Sequence, residues 1–307
     1  MRIKNSLSLL LLAAFISLFA QTAVQADDSF DVELSDQFLA NVKIQEGGTC
    51  SLFASAGLVE AACFRRTGKH VNFSEAALYL QYLDTLLLSP SGNYPILPKS
   101  QGEFTEMDGV LRSGWSVDHL IKGMDCFNET DLPFDMHFVQ HVQAIIQAYG
   151  KEEAHLLEQA PSQAKSSQDL ARLMGSIRRD EQRAADEELR FEFGQYISPS
   201  GSDPDIAACL SGKPMRVADL SAHPWERVSG DVVEAQVRQH HVPVLCEREW
   251  SYTNSDGSKT EGLHAFVVSG ERGGNDGKKE FLIRDSNIEQ PYWTALPDCQ
   301  RAWVIQD

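Results

Sequence analysis

The rhythm of apolar and polar positions changes twice along this chain. Residues 50–66, "CSLFASAGLVEAACFRR", carry small and apolar side chains on nearly every side, with Ala54, Ala56 and Gly57 allowing close approach. A helix apolar all round is a buried one, so this segment predicts a central helix. "NFSEAALYLQYLDTLL" at 72–87 predicts a second helix, opened by Ser74, whose hydroxyl suits an N-cap. A turn-rich loop with three prolines follows at 89–103. "WSVDHLIKGM" at 115–124 predicts a third, short helix.

Residues 137–197 read differently. Phe138, Val142, Ile145 and Tyr149 recur every three or four positions, the mark of an amphipathic helix. A second charged helix continues it, opened by the capping signal Ser166-x-x-Asp169. Together they predict a helical hairpin, closed by the loop "SPSGSDPD" at 198–205. Strand patterns then take over. "PMRVADL" precedes a helix, "GDVVEAQVRQH"; "VPVLCEREW", "LHAFVVSGE", "KEFLIRDS" and "RAWVIQ" follow as strands, two of them joined by "GERGGNDGKK" as a hairpin. Helices first and a mainly antiparallel sheet afterwards is an α+β order.

The first residues add a compartment. Arg2 and Lys4, an apolar run from Leu7 to Ala20, then Val24-Gln25-Ala26 follow the order of a secretory signal peptide cleaved after Ala26. Residues 1–26 are therefore expected to be removed, leaving one domain from 27 to 307. No Cys follows the apolar run, so no lipoprotein anchor is expected, and no later apolar stretch reaches the roughly 18 residues of a membrane span, so no membrane anchor is expected either; the product is expected to be secreted or periplasmic. The chain carries 27 basic and 44 acidic residues, a formal net charge of −17. That balance argues against nucleic acid as a partner, since basic patches do that work.

Six cysteines stand at 50, 63, 126, 209, 246 and 299. Export permits disulfides, and if Cys50 is a free thiol the remaining five form at most two bridges. A Cys50–Cys63 bridge is excluded by helix geometry, because thirteen residues at about 1.5 Å rise separate them by about 20 Å. Cys63 reads as a core thiol.

Cys50 opens the apolar helix, where partial positive charge and unpaired N–H groups favour a thiolate. It is either a nucleophile or an ordinary buried thiol. As a nucleophile it needs a base, an orienting group for that base, and donors for an oxyanion. Gln45 stands five residues upstream, with Gly47 and Gly48 letting the loop turn. His264 begins an apolar strand that can fix its ring, and Asp285 ends the next strand of the hairpin, where a carboxylate can orient that ring. His137 and His141 share a helix face, but the residues between them are Phe-Val-Gln, without the Glu of a zinc protease. His240-His241 lacks further ligands at metal spacing. No metal or organic cofactor is implied.

The segment "IQEGGTCSLFASAGLVEAACFRRTGKHVNFSEAALYL" resembles the active-site helix region of papain-like cysteine peptidases, including the bleomycin-hydrolase branch. "LHAFVVSGE" and "EFLIRDSN" are similar to that family's histidine strand and the strand after it, and the order Gln, Cys, His, orienting residue agrees. The resemblance covers about residues 42–135 and 213–307. It implies a two-lobe fold, helical lobe beside antiparallel β lobe, with Cys50 as nucleophile, His264 as base, Asp285 orienting it and Gln45 in the oxyanion hole. Five features depart from the family. Ser51 follows the nucleophile in place of an aromatic, Gln45 sits one residue closer to Cys50, Asp285 stands in place of an asparagine, Asn287 replaces a tryptophan after Ser286, and the double-Gly substrate shelf is reduced to Ser113-Gly114. The Cys50–His264 separation exceeds the about 130–150 residues of papain-like enzymes, so residues 137–200 are read as a helical insertion. The resemblance implies an exported cysteine hydrolase cutting a peptide or protein substrate. Two alternatives stand beside it: a catalytically weakened papain-fold binding module, engaging a protein partner or inhibitor through 137–200, and a Cys-dependent amidase or acyl transferase.

Overall fold

The computed structural model describes residues 31–45, 49–87, 134–197, 204–211, 215–221, 223, 226–253, 259–274, 278–295 and 298–306. The expected signal peptide, the proline-rich loop at 89–103 and the helix at 115–124 lie outside the described residues, as does most of the loop at 198–205.

Among the described residues the chain is α+β, as its patterning implies. The central helix α1 spans Cys50–Thr67 and is buried along almost its whole length. Leu58, Val59, Ala61 and Ala62 are fully buried, each large one removing about 1.5–3 kcal/mol worth of apolar surface from water. Gly68 ends the helix with φ 68°, a left-handed turn that costs other residues strain, and its N–H donates to the Phe64 carbonyl at 2.8 Å. Arg65 and Arg66 in the last turn suit the negative end of the helix. α2, Glu75–Leu87, begins where expected, with the Ser74 Oγ accepting from the Ala77 N–H at 3.2 Å.

The charged segment forms the helical hairpin α3 (Met136–Gln163) and α4 (Ser167–Ile197). Ser166 and Asp169 cap α4 reciprocally: the Asp169 N–H donates to Ser166 Oγ at 3.1 Å and the Lys165 N–H to Asp169 Oδ2 at 2.9 Å. The hairpin lies along α2, fastened by a run of aromatic contacts from Tyr79 through Phe138 to Phe193.

The strands make one antiparallel sheet: β1 (Val32–Glu33), β2 (Arg216–Asp219), β3 (Val244–Thr253), β4 (Lys259–Gly273), β5 (Lys279–Arg284), β6 (Tyr292–Thr294) and β7 (Arg301–Gln306). The order is β2-β7-β3-β4-β5-β6, and β4 is its spine. The first half of β4 pairs β3 and its second half pairs β5 and β1, with a register shift at Ser269. Gly270 is needed there, because a Cβ would stand 2.9 Å from the Val32 carbonyl. α1 packs against β4, β3 and β7. Two short helices, α5 (Pro204–Leu210) and α6 (Gly230–His240), and a 3-10 turn at Ser35–Gln37 complete the described chain. β1, β6 and α5 are too short to leave a periodic signal, and the sequence reading did not contain them.

Cys63 corrects an expectation. It is fully buried, but it is no ordinary core thiol: it is bonded to Cys209 of α5, and Cys246 is bonded to Cys299. Apolar context alone cannot tell a buried thiol from half of a buried bridge. Among the described residues no helix is long and apolar enough to cross a membrane.

Candidate active site

Cys50 is the free cysteine of the described chain, the first residue of α1 and 8% exposed. Its backbone N–H belongs to the first turn, where helical N–H groups have no intrahelical acceptor. The Thr49 carbonyl accepts from the Leu52 and Phe53 N–H groups, so the helix is regular from its first residue.

The packing of α1 on β4 brings His264 to this helix mouth. His264 is buried at 6% exposure, opposite Arg248 in the β3–β4 ladder. Its Nε2 lies 2.8 Å from Asp285 Oδ1, and the ring also hydrogen-bonds the Cys50 thiol. With Nε2 committed to Asp285, Nδ1 is the nitrogen left for sulfur. Burial alone would lower the imidazole pKa, but the bonds to Asp285 and Cys50 and their charges reverse this and push it up to about 9. The ring is therefore an imidazolium at neutral pH.

Asp285 follows the last residue of β5. Burial pushes its carboxyl up, and the hydrogen bond and charge of His264 outweigh that and hold it below its ordinary value. The Asn287 N–H donates to Oδ1 at 2.9 Å and the Tyr292 hydroxyl to Oδ2 at 3.4 Å, so both oxygens are anchored. The Asn287 amide stands 3.3 Å from His264 Nε2, on the rim where the family resemblance led to a tryptophan.

Gln45 meets the same turn. Its N–H donates to the Ser286 carbonyl at 2.9 Å, and its Oε1 accepts from the Ser286 hydroxyl. With the oxygen so engaged, the donors of the amide are on Nε2. Gln45 is thus anchored one residue from Asp285, and residues 46–48, which join it to the helix, lie outside the described chain.

The structure brings Cys50, His264 and Asp285 into one chain of contacts and ties Gln45 to its end. Among the described residues, His141 faces Glu192 at 3.4 Å on the hairpin, and His241 takes the left-handed position that ends α6. Among the described residues no cluster of three or more His, Cys, Asp or Glu side chains is arranged to hold a metal. Sequence reasoning missed Ser286 and Tyr292. Ser286 was legible only as the neighbour of Asp285, and Tyr292 reaches Asp285 through the short strand β6, which leaves no pattern.

A buried thiol paired with an imidazolium whose second nitrogen is held by a carboxylate is an arrangement for nucleophilic attack on a carbonyl. No family model matches the chain, and no curated protein matches it. Solved structures do. The crystal structure of pepw from lactobacillus rhamnosis hn001 overlaps 95% of this chain and 87% of its own, at 10% identity and a TM-score of 0.50. Digestive procathepsin L 3 of the Tenebrio molitor larval midgut overlaps 92% of this chain and 72% of its own, at 13% identity and a TM-score of 0.45. A structure from work on the mite allergens Blo t 1 and Der p 1 overlaps 92% and 74%, at 13% identity and a TM-score of 0.42. At such identity, likeness concerns the path of the chain: this protein shares its α+β fold with pepw, and its chemistry has to be argued from its own residues.

Proposed function

We propose that the protein is an exported papain-like cysteine hydrolase that cleaves peptide bonds. The observation that carries this reading is the contact chain Cys50–His264–Asp285 at the N-terminus of a buried helix.

In this reading the Cys50 thiolate attacks the scissile carbonyl carbon. The S–C bond forms, and the carbonyl electron pair moves to oxygen, which the Cys50 N–H and the Gln45 amide stabilise. As the C–N bond breaks, His264 gives its proton to the leaving amine. Water then loses a proton to His264, its oxygen bonds to the acyl carbon, and the S–C bond breaks. Asp285 keeps the ring aligned throughout and compensates its charge. The two disulfides accord with export into an oxidising compartment.

Asn287 favours a second reading, an amidase or acyl transferase on a non-protein substrate. An exposed amide at the rim offers hydrogen bonds where an indole would offer an apolar surface. Digestion of a peptide library, read by mass spectrometry, separates the two. Peptide cleavage is expected, with its loss in Cys50→Ser. Cys50-dependent turnover of small amides or esters without any peptide cleavage contradicts the peptidase reading.

A further inference from the structure

A second buried charged cluster lies behind the Gln45 strip. Lys43 Nζ donates to Glu60 Oε1 at 2.8 Å, to Glu75 Oε1 at 2.6 Å and to the Phe73 carbonyl at 2.8 Å. That uses all three ammonium protons. Glu60 belongs to α1, and Glu75 is the first residue of α2. Glu60 also accepts from the Phe73 N–H at 2.9 Å. The side chains of Lys43, Glu60 and Glu75 are 15%, 9% and 2% exposed. Burying such a group brings little net stability, because desolvation offsets the attraction. What it does provide is a fixed location for Lys43 against two helices.

On its other side the strip is fastened to the turn after β5. The Val42 N–H donates to the Glu289 carbonyl and the Gln45 N–H to the Ser286 carbonyl, both at 2.9 Å. Just upstream, Arg284 donates to the Leu39 and Asn41 carbonyls. Residues 39–45 are thus a strap between the sheet and helices α1 and α2, with Lys43 as its helix-side anchor and Gln45 two residues further on. Packing does not lock the strap. A cavity of about 50 Å³ runs beside it, lined by Lys43, Gly57, Glu60, Glu75, Arg284 and Ser286 among others. A Cβ on Gly57 would meet nothing within 4 Å. There is room for a few waters, and for the strap to shift if its anchor is cut.

We infer that Lys43 is a positioning residue for the oxyanion amide: its ammonium, clamped by Glu60 and Glu75, sets where the Gln45 side chain stands against the first turn of α1. This rests on the hydrolase reading above. Consecutive Cα atoms are about 3.8 Å apart, so a movement at Lys43 reaches Gln45 through only two peptide units. A displacement near 1 Å at a reacting group costs about 100-fold in rate.

The test uses the full chain and two probes of Cys50. Sulfur displaces iodide from the saturated carbon of iodoacetamide, and no oxyanion forms. A peptide aldehyde adds the thiol at its carbonyl, forming an S–C bond while the oxygen takes the electron pair and then the thiol proton, so its affinity depends on the oxyanion site. Lys43→Met and Gln45→Ala are each expected to leave alkylation within about twofold and to weaken the aldehyde about 100-fold. The double variant is expected to be no weaker than Gln45→Ala alone, because both act through one amide, and Lys43→Arg is expected to restore most of the affinity. Losses that multiply in the double variant, or an alkylation rate that falls together with aldehyde affinity, overturn the inference. If Lys43→Met fails to fold, Glu75→Gln takes its place in the same cycle. Wild-type Cys50 alkylating at an ordinary thiol rate sinks the hydrolase reading and this inference together. Selective alkylation with multiplying losses sinks this inference alone.

Discussion

His264 and Lys43 are both bases held by carboxylates, one at the mouth of α1 and one within the strap that carries Gln45, yet their surroundings are balanced in opposite ways. His264 has one carboxylate, Asp285, and one thiol. Each partner supports the other's charge, so the base is pushed up to about 9 and the acid is held low. Lys43 has two carboxylates for one ammonium. Burial of Glu75, with the charge of Glu60 adding to it, outweighs the pull of Lys43 and pushes Glu75 up to about 7. A matched pair suits a proton that must move during a reaction, since sulfur, imidazole and substrate can exchange it at low cost. An excess of acid around a lysine keeps that lysine charged and immobile, which suits a fastening.

The comparison is sharpened first at Asp285. Asp285→Ala removes the largest influence raising His264, so the alkaline limb of the pH–rate profile should move from about 9 toward the ordinary imidazole value of 6.5. The rate at neutral pH should fall by about 100-fold, the scale of a lost acid–base arrangement. The sign for stability follows. The folded pKa of His264 lies above its ordinary value, so its stabilising effect is complete below about 6.5 and is lost as pH rises through about 9. An unmoved alkaline limb in Asp285→Ala breaks the matched-pair description.

A smaller effect is expected at Glu75. Its folded pKa of about 7 lies above the ordinary 4.5. Between these values the folded state holds a proton that the unfolded chain releases, so stability falls as pH rises from about 4.5 to about 7 and is level beyond. Glu75→Gln should flatten that slope, which urea midpoints at pH 5 and pH 8 would reveal. An unchanged difference between the two midpoints would mean that Glu75 does not carry the excess acid.

Cys50 and Asp285 were legible in the sequence because each sits at the boundary of a patterned element, and His264 because an apolar run follows it, although it lies inside β4 rather than at its start. Apolar periodicity marks such elements, and their ends are where side chains face a cleft. The caps at Ser74 and Ser166 were legible for the same reason, since a cap is a local event. The Cys63–Cys209 bridge, the Ser286–Gln45 contact and the clamp on Lys43 join residues far apart in sequence. Nothing local announces such partners. No feature of the sequence around Lys43 points to Glu60 and Glu75, which α1 and α2 bring to it. β1 and β6 are two and three residues long, and only pairing with β4 and β5 makes them strands.

The central claim is that His264, held by Asp285, makes Cys50 a reactive nucleophile. Its most direct test is the rate of Cys50 carboxamidomethylation by iodoacetamide at pH 6, in the wild type and in His264→Ala. The account predicts reaction far above that of an ordinary thiol in the wild type and about a 100-fold loss in the variant. Equal, slow rates in both proteins would contradict it.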